Sequence, residues 1–345
     1  MADTGRVASA PSSVARGETV LANVVARCFA WCSVAAVVIF LVNNYLTNWR
    51  DWPGPFMLGG AASSQPLLAG IQLLLYFLGF AGAIGYVLAT RARPLRPDSN
   101  AMYAVTAYMI RASFWAVLLI GLTDMVVSFL RVEGWLPDIV GAELAIDLGR
   151  TRFRGLYVHF PMVALGLAIA AVHRGLGFPW LALLVAGAEL LIVLTRFIFS
   201  YEQAFMADLV RFWYGALFLF ASAYTLLEEG HVRVDVLYAT FSSRTKGIVN
   251  AVGSVLLGIT LCWVIISLGM GGKASVINAA LLRFEVTQTG FGMYVKYWMA
   301  GFLGIFAISM LIQFSGYFLE GVADFRGEPG RRRAETQSTH GMYES

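Results

Sequence analysis

Eight apolar runs, each long enough to cross a bilayer, divide this chain almost from end to end, and they leave it few folds. A helix needs about 20 predominantly apolar residues to traverse the hydrocarbon, and only helices and closed barrels satisfy their own backbone there. The runs read as helices at about Leu21–Tyr45, Pro66–Thr90, a stretch within Ala101–Leu130, Leu156–Val172, Pro179–Ser200, Ala207–Leu227, Gly247–Met270 and Val295–Leu319. Pro161 stands in the first turns of the fourth, where its ring removes a backbone hydrogen bond. Only 13% of residues are charged against 58% hydrophobic, whereas a soluble domain carries about a quarter charged. The expected fold class is an all-α polytopic membrane protein with about eight transmembrane helices.

Composition and motifs close off several chemistries. The net charge of +4 comes from scattered arginines, with no basic stripe and interleaved aromatics of the kind that binds nucleic acid. Cys28, Cys32 and Cys262 are too few for a disulfide framework or a four-thiolate metal site. Cys28 and Cys32, one helical turn apart, read as small core residues. Membrane haem needs two histidines facing each other at one depth, and His159 alone lies inside a span, so no cofactor is expected. No Walker loop, Ser-His-Asp set or His-Glu-x-x-His helix is readable, and no enzymatic activity is expected.

Residues 1–20 read as a disordered lead, followed by an anchoring helix too long for a cleavable signal. Arginine and lysine in short loops orient such chains. Arg91, Arg93 and Arg96, then Arg233, Arg244 and Lys246, then Arg326 and Arg331–Arg333 place both termini in the cytoplasm. Arg150, Arg152 and Arg154 argue the other way. Two loops, Glu133–Gly149 and Ala274–Phe284, have interrupted helical patterns that suit interfacial helices or a docking surface. Gly79, Gly82 and Gly85, with Gly301 and Gly304, suit close helix packing.

Ionisable residues deep in a span are costly. Arg111 and Arg131 bracket an apolar run, so Arg111 is expected to snorkel at an interface, with Ala101–Ile110 at or beyond it. Asp124, inside that run, and Glu189, near the middle of the fifth span, admit two readings. They belong to a proton or cation pathway, or each is hydrogen-bonded to a Ser, Thr or Tyr of a neighbouring helix. Glu189 lies seven residues before Arg196 on one helical face, too far to pair with it directly.

The most distinctive stretch is Glu228-Glu229-Gly230-His231-Val232-Arg233-Val234-Asp235. Gly230 can end the sixth helix in a left-handed turn, and His231 and Arg233 sit where cations suit the helix C-terminus and anionic headgroups. This stretch resembles the Glu-x-Gly-His-Ile/Val-Arg-Val-Asp signature of the small-permease, DctQ-like (Q-type) subunit of tripartite ATP-independent periplasmic (TRAP) transporters. Upstream, Arg196-Phe197-Ile198-Phe199, then Phe205, Asp208 and Arg211, stand in the family's register. The departures there are Ala207 in place of a second acid, Ser200 in place of Asn, and Tyr201-Glu202-Gln203 in the loop. Downstream, Glu285-Val286-Thr287 and Gly292–Trp298 resemble the lead into the family's last helix.

The resemblance covers residues 179–320, a four-helix Q-type core. Residues 21–175 then form an N-terminal helical extension of about four helices, and 321–345 a cytoplasmic tail. It implies a bacterial inner-membrane protein that scaffolds a large M-type permease subunit and helps dock a periplasmic substrate-binding protein. The system would take up a small organic acid or related solute, usually driven by sodium, among membrane lipids and with no substrate site in this chain. It also implies that Arg196, Asp208 and Arg211 form an outer polar cluster, and that Glu228, Gly230, His231, Arg233 and Asp235 have structural or interface roles on the inner side. The alternative is a self-contained ion-coupled carrier or channel using Asp124 and Glu189. A membrane anchor of a redox enzyme is disfavoured by the single intramembrane histidine.

Overall fold

The structure, a computed structural model, describes residues 13–55, 65–174, 178–201, 203–227, 238, 240–286 and 292–330. Eight of its helices are long and apolar enough to cross a membrane. They are α1 (Ser13–Trp49), α2 (Pro66–Ala89), α3 (Leu95–Val132), α6 (Thr151–Val172), α7 (Phe178–Phe199), α8 (Ala204–Leu227), α9 (Ser243–Met270) and α11 (Lys296–Arg326). Between α3 and α6 lie the short α4 (Leu136–Val140) and α5 (Ala142–Leu148), and α10 (Val276–Arg283) follows α9. Both loops that carried a broken helical pattern are therefore helical. The number of crossings agrees with the apolar runs because each run must supply its own hydrogen bonds in hydrocarbon.

The bundle is built around α3 and α11. α3 packs on α6, α8 and α11, and α11 packs in turn on α1, α8, α9 and α10. Helices that precede residue 175 are thus interleaved with those that follow it. α2 rests on α1 and α7 rests on α8, so both are peripheral and bury little of themselves. The main core gathers Ile110, Phe114 and Ile120 of α3, Phe212, Trp213 and Phe220 of α8, and Phe302 and Leu311 of α11.

Two long helices overrun the apolar runs that announced them. α3 starts at Leu95, and Met102, Tyr103, Thr106 and Ile110 are buried, so Arg111 sits well inside a packed helix. Ala101–Ile110, expected at or beyond a membrane interface, is thus packed within the bundle. The early turns of α3 are apolar toward α11 and hold their polar groups against partners from elsewhere in the chain. α11 runs to Arg326 and closes at Gly327, whose φ of +71° is left-handed, with the Glu328 N–H returning to the Ala323 carbonyl.

Those partners form a buried polar knot at the end of the bundle where α1 starts. The fully buried Arg27 donates through Nε to Asp98 at 2.6 Å, and to the carbonyl and hydroxyl of Thr90 at 2.6 and 2.7 Å. Trp31 Nε1 donates to the same Asp98 oxygen at 2.9 Å, and Arg27 thereby ties α1 to the end of α2 and to α3. Beside it, Arg96 pairs with Asp324 at 2.8 Å, and the Tyr103 hydroxyl donates to Glu320 at 2.7 Å. The first residues of α3 lack a side-chain cap of their own. Instead the Glu328 carboxylate, from beyond α11, accepts the Leu95 and Arg96 N–H groups at 3.2 Å each. A carboxylate at a helix N-terminus satisfies otherwise unpaired donors and suits the helix dipole. Glu328→Ala is expected to cost about 1 kcal/mol, read as a small fall in the midpoint of thermal unfolding in detergent.

In α6 the turn Gly155–His159 is a π turn, with the Phe160 N–H reaching back to the Gly155 carbonyl. The wider turn lies directly before Pro161, whose ring would otherwise strike a carbonyl one turn back. Pro161 is accommodated without ending the span, and His159 is placed at the end of the bulge.

Candidate functional site

The principal polar centre assembles where α3, α6 and the start of α11 meet. Asp124 lies on the buried face of α3, two turns before the chain leaves that helix. α4 and α5, entered through Gly134 (φ +77°) and Gly141 (φ +86°), reverse the chain and bring Arg154 back against it. Asp124, Arg154 and His159 are fully buried. Arg154 Nη1 donates to Asp124 Oδ1 at 2.9 Å and to Ser128 Oγ at 3.1 Å, and its Nε donates to the Leu148 carbonyl at 2.9 Å. His159 Nε2 lies 3.0 Å from the same Asp124 oxygen. Asp124 Oδ2 accepts the Tyr294 N–H at 2.8 Å.

The histidine's role follows from its partners. An ionised carboxylate only accepts, so His159 Nε2 carries the proton and Nδ1 is left as acceptor. Nδ1 receives the Tyr297 hydroxyl at 2.6 Å and the Trp298 indole N–H at 3.2 Å. Both ring nitrogens are thereby satisfied by a neutral imidazole. Tyr294 closes the other side: the Arg154 guanidinium lies 4.1 Å and that of Arg131 4.7 Å from its ring centroid, and its hydroxyl bonds to Arg131 and to the Gly149 carbonyl. Gly155 lets α6 approach, since a Cβ there would lie 2.5 Å from the Phe284 ring and 3.1 Å from the Tyr297 hydroxyl.

This arrangement is a closed staple. Asp124 Oδ1 receives two donors and Oδ2 a third, which leaves the carboxylate committed to protein donors. Its partners are Arg154 and His159 rather than hydroxyls of a neighbouring helix, because the return of the chain at Thr151 sets an arginine at the depth of Asp124. Next to the staple, an apolar crevice of about 190 Å³ runs between α3, α6 and α11, walled by Tyr108, Ala112, Ala116, Val163, Trp298 and Phe302. Its lining is almost wholly apolar.

The residues singled out in the sequence scatter over the bundle. Asp208, in the first turns of α8, is buried; its carboxylate accepts the Met293 N–H at 3.1 Å and lies 3.6 Å from Arg211. Those two come together. Arg196 is exposed near the end of α7, and no ion pair joins it to them among the described residues. Glu189 is exposed at the middle of α7, on a different helix from Asp124 and away from its network. Glu228, Gly230, His231, Arg233 and Asp235 lie outside the described residues. Arg154, Tyr294 and Tyr297 were not anticipated. The available signal was three arginines and a histidine at the mouth of a span, on the side where the charge balance disfavoured them.

Residues 177–323 match the family described as tripartite ATP-independent periplasmic transporters, DctQ component. The match makes this part of the chain similar to a DctQ component and covers less than half of the chain. No curated protein and no solved structure matches it significantly. The DctQ segment takes in α7 to α10 and all but the last residues of α11, and α1 to α6 precede it. The staple therefore crosses the edge of the match: Asp124, Arg154 and His159 precede it, and Tyr294, Tyr297 and Trp298 lie within it.

Proposed function

We propose that this chain is the small membrane subunit of a TRAP transporter, and that it serves as a rigid scaffold for a large M-type permease subunit. The match of residues 177–323 to the DctQ component carries this reading. The staple supports it, since Asp124 and Arg154 are paired within the chain, with Arg154 Nη2 left without a hydrogen bond, and such a pair holds a bundle in one arrangement rather than passing an ion. In this reading the substrate and coupling-ion sites lie in the large subunit. A periplasmic binding protein delivers a small organic acid or related solute, and transport is sodium-driven. Both ends face the cytoplasm of a bacterial inner membrane, so Arg27, Asp98, Arg96 and Asp324 mark the cytoplasmic side, and Asp208 with Arg211 the periplasmic side. Residues 21–175 act as an added buttress joined to the Q-type core where Asp124, Arg154 and His159 meet Tyr294, Tyr297 and Trp298.

The self-contained carrier has less to stand on, because the Asp124 oxygens are occupied and Glu189 sits on the outer surface. The deciding measurement is a tagged pull-down from native membranes in mild detergent, with intact-mass analysis. A stoichiometric large polytopic subunit is expected. A chain that purifies alone, in a detergent that preserves other complexes, would overturn the proposal. A second expectation concerns the signature stretch: Arg233→Ala with Asp235→Ala should impair assembly and uptake, and unchanged values for both would remove its interface role.

A further inference from the structure

Glu189 is an exposed carboxyl eight residues into the 19-residue apolar span Leu181–Phe199 and ten before its end. At 1.5 Å per residue it lies about 12–15 Å along the helix from either end of that span, beyond the reach of a snorkelling side chain. No hydrogen bond or ion pair engages it among the described residues. A carboxyl in that position is unfavourable against lipid and needs a partner.

Its helical neighbours say what kind. Ala182, Ala186, Glu189, Val193 and Arg196 are all exposed and follow a four-three-four-three spacing, the seam along which one helix packs on another. The two alanines allow close backbone approach, and Gly187 beside them meets nothing within 4 Å. Among the described residues α7 packs chiefly on α8, burying Leu181 and Ala188 about a third of a turn round the helix from this stripe. A lipid tail would use neither the carboxyl nor the guanidinium. A helix carrying a cationic or hydrogen-bond-donating side chain at the depth of Glu189, and an acidic or accepting one two turns nearer Arg196, would use both.

We infer that this stripe of α7 is the seat of the large membrane subunit, and that Glu189 is its central polar contact. The inference rests on the TRAP reading and adds to it a surface and a charge pattern. Removing one partner of a buried charge pair weakens association by 2 kcal/mol or more, roughly 30-fold. Glu189→Leu should therefore weaken retention of the large subunit by roughly 30-fold across a dilution series of the purified complex, while Glu189→Gln, which still accepts a hydrogen bond, loses less. Both variants should elute as the folded chain does, because Glu189 supports nothing within the bundle. In otherwise unchanged complexes, a photo-crosslinker placed at Ala186 or Val193 should capture the large subunit, and one at the exposed Gly82 of α2 should not. Capture of a second copy of this chain, capture of lipid alone, or full retention by Glu189→Leu would each overturn the assignment while leaving the TRAP reading intact. If the unaltered chain recovers no large subunit, the TRAP reading itself fails, and this inference with it.

Discussion

Arg154→Ala is expected to destabilise the folded chain by roughly 3–5 kcal/mol, the cost of leaving a buried charge without its partner. The charge left behind is Asp124, which would keep His159 and the Tyr294 N–H but lose the Arg154 cation at 2.9 Å. The Leu148 carbonyl and Ser128 hydroxyl lose their donor in the same step. The reciprocal change, Asp124→Ala, strands Arg154 and frees His159 Nε2, and should cost as much. If the pair is a staple rather than part of a conducting path, an apolar replacement of both partners, Asp124→Leu with Arg154→Met, should recover much of the loss, because the attraction in a buried pair largely offsets its own desolvation. Thermal unfolding of the four proteins in one detergent reads this. An Arg154→Ala midpoint equal to that of the unaltered chain would mean that the pair carries no weight in the fold.

The same residues show where sequence reasoning reaches and where it stops. The eight spans were legible because hydrocarbon imposes a length and a composition on each crossing. Asp124 and Glu189 were legible because a charge in an apolar run stands out, but their surroundings were not. Asp124 meets Arg154 across 30 residues and Tyr294 across 170, and nothing local records such pairings. Arg154 was hidden by Arg150 and Arg152, which gave all three the look of a solvated loop. The packing at the start of α3 was hidden for a related reason: Arg96 and Asp98 look like solvated charges, yet Asp324 and Arg27 pair with them across the chain. Gly79, Gly82 and Gly85 show the limit of counting small residues. Steps of three turn the position by about 60° each time, so Gly79 packs tightly on Ile39 while Gly82 and Gly85 face open space.

Gly247→Ala is expected to destabilise the chain by about 1–3 kcal/mol, in the range of overpacked cores, although alanine is the better helix former. A Cβ at Gly247 would lie 2.5 Å from the Phe325 nitrogen and 2.6 Å from the Gly321 carbonyl oxygen. Both are backbone atoms of α11, which cannot swing aside as a flexible side chain would. Gly321 is the matching residue across the contact, where a Cβ would come within 2.8 Å of the Gly247 oxygen and the Ala251 nitrogen. The two glycines bring α9 and α11 into backbone contact at the end that also holds Arg96, Asp324 and Glu328. Separating the helices there would strain the carboxylate cap on α3 as well. Gly253, six residues further along α9, has nothing within 4 Å of its would-be Cβ, so Gly253→Ala should instead be neutral or stabilising by up to about 1 kcal/mol. The difference in sign between two alanine substitutions on one helix isolates packing from propensity. Equal midpoints for the two variants would mean that α9 and α11 do not meet at Gly247 and Gly321.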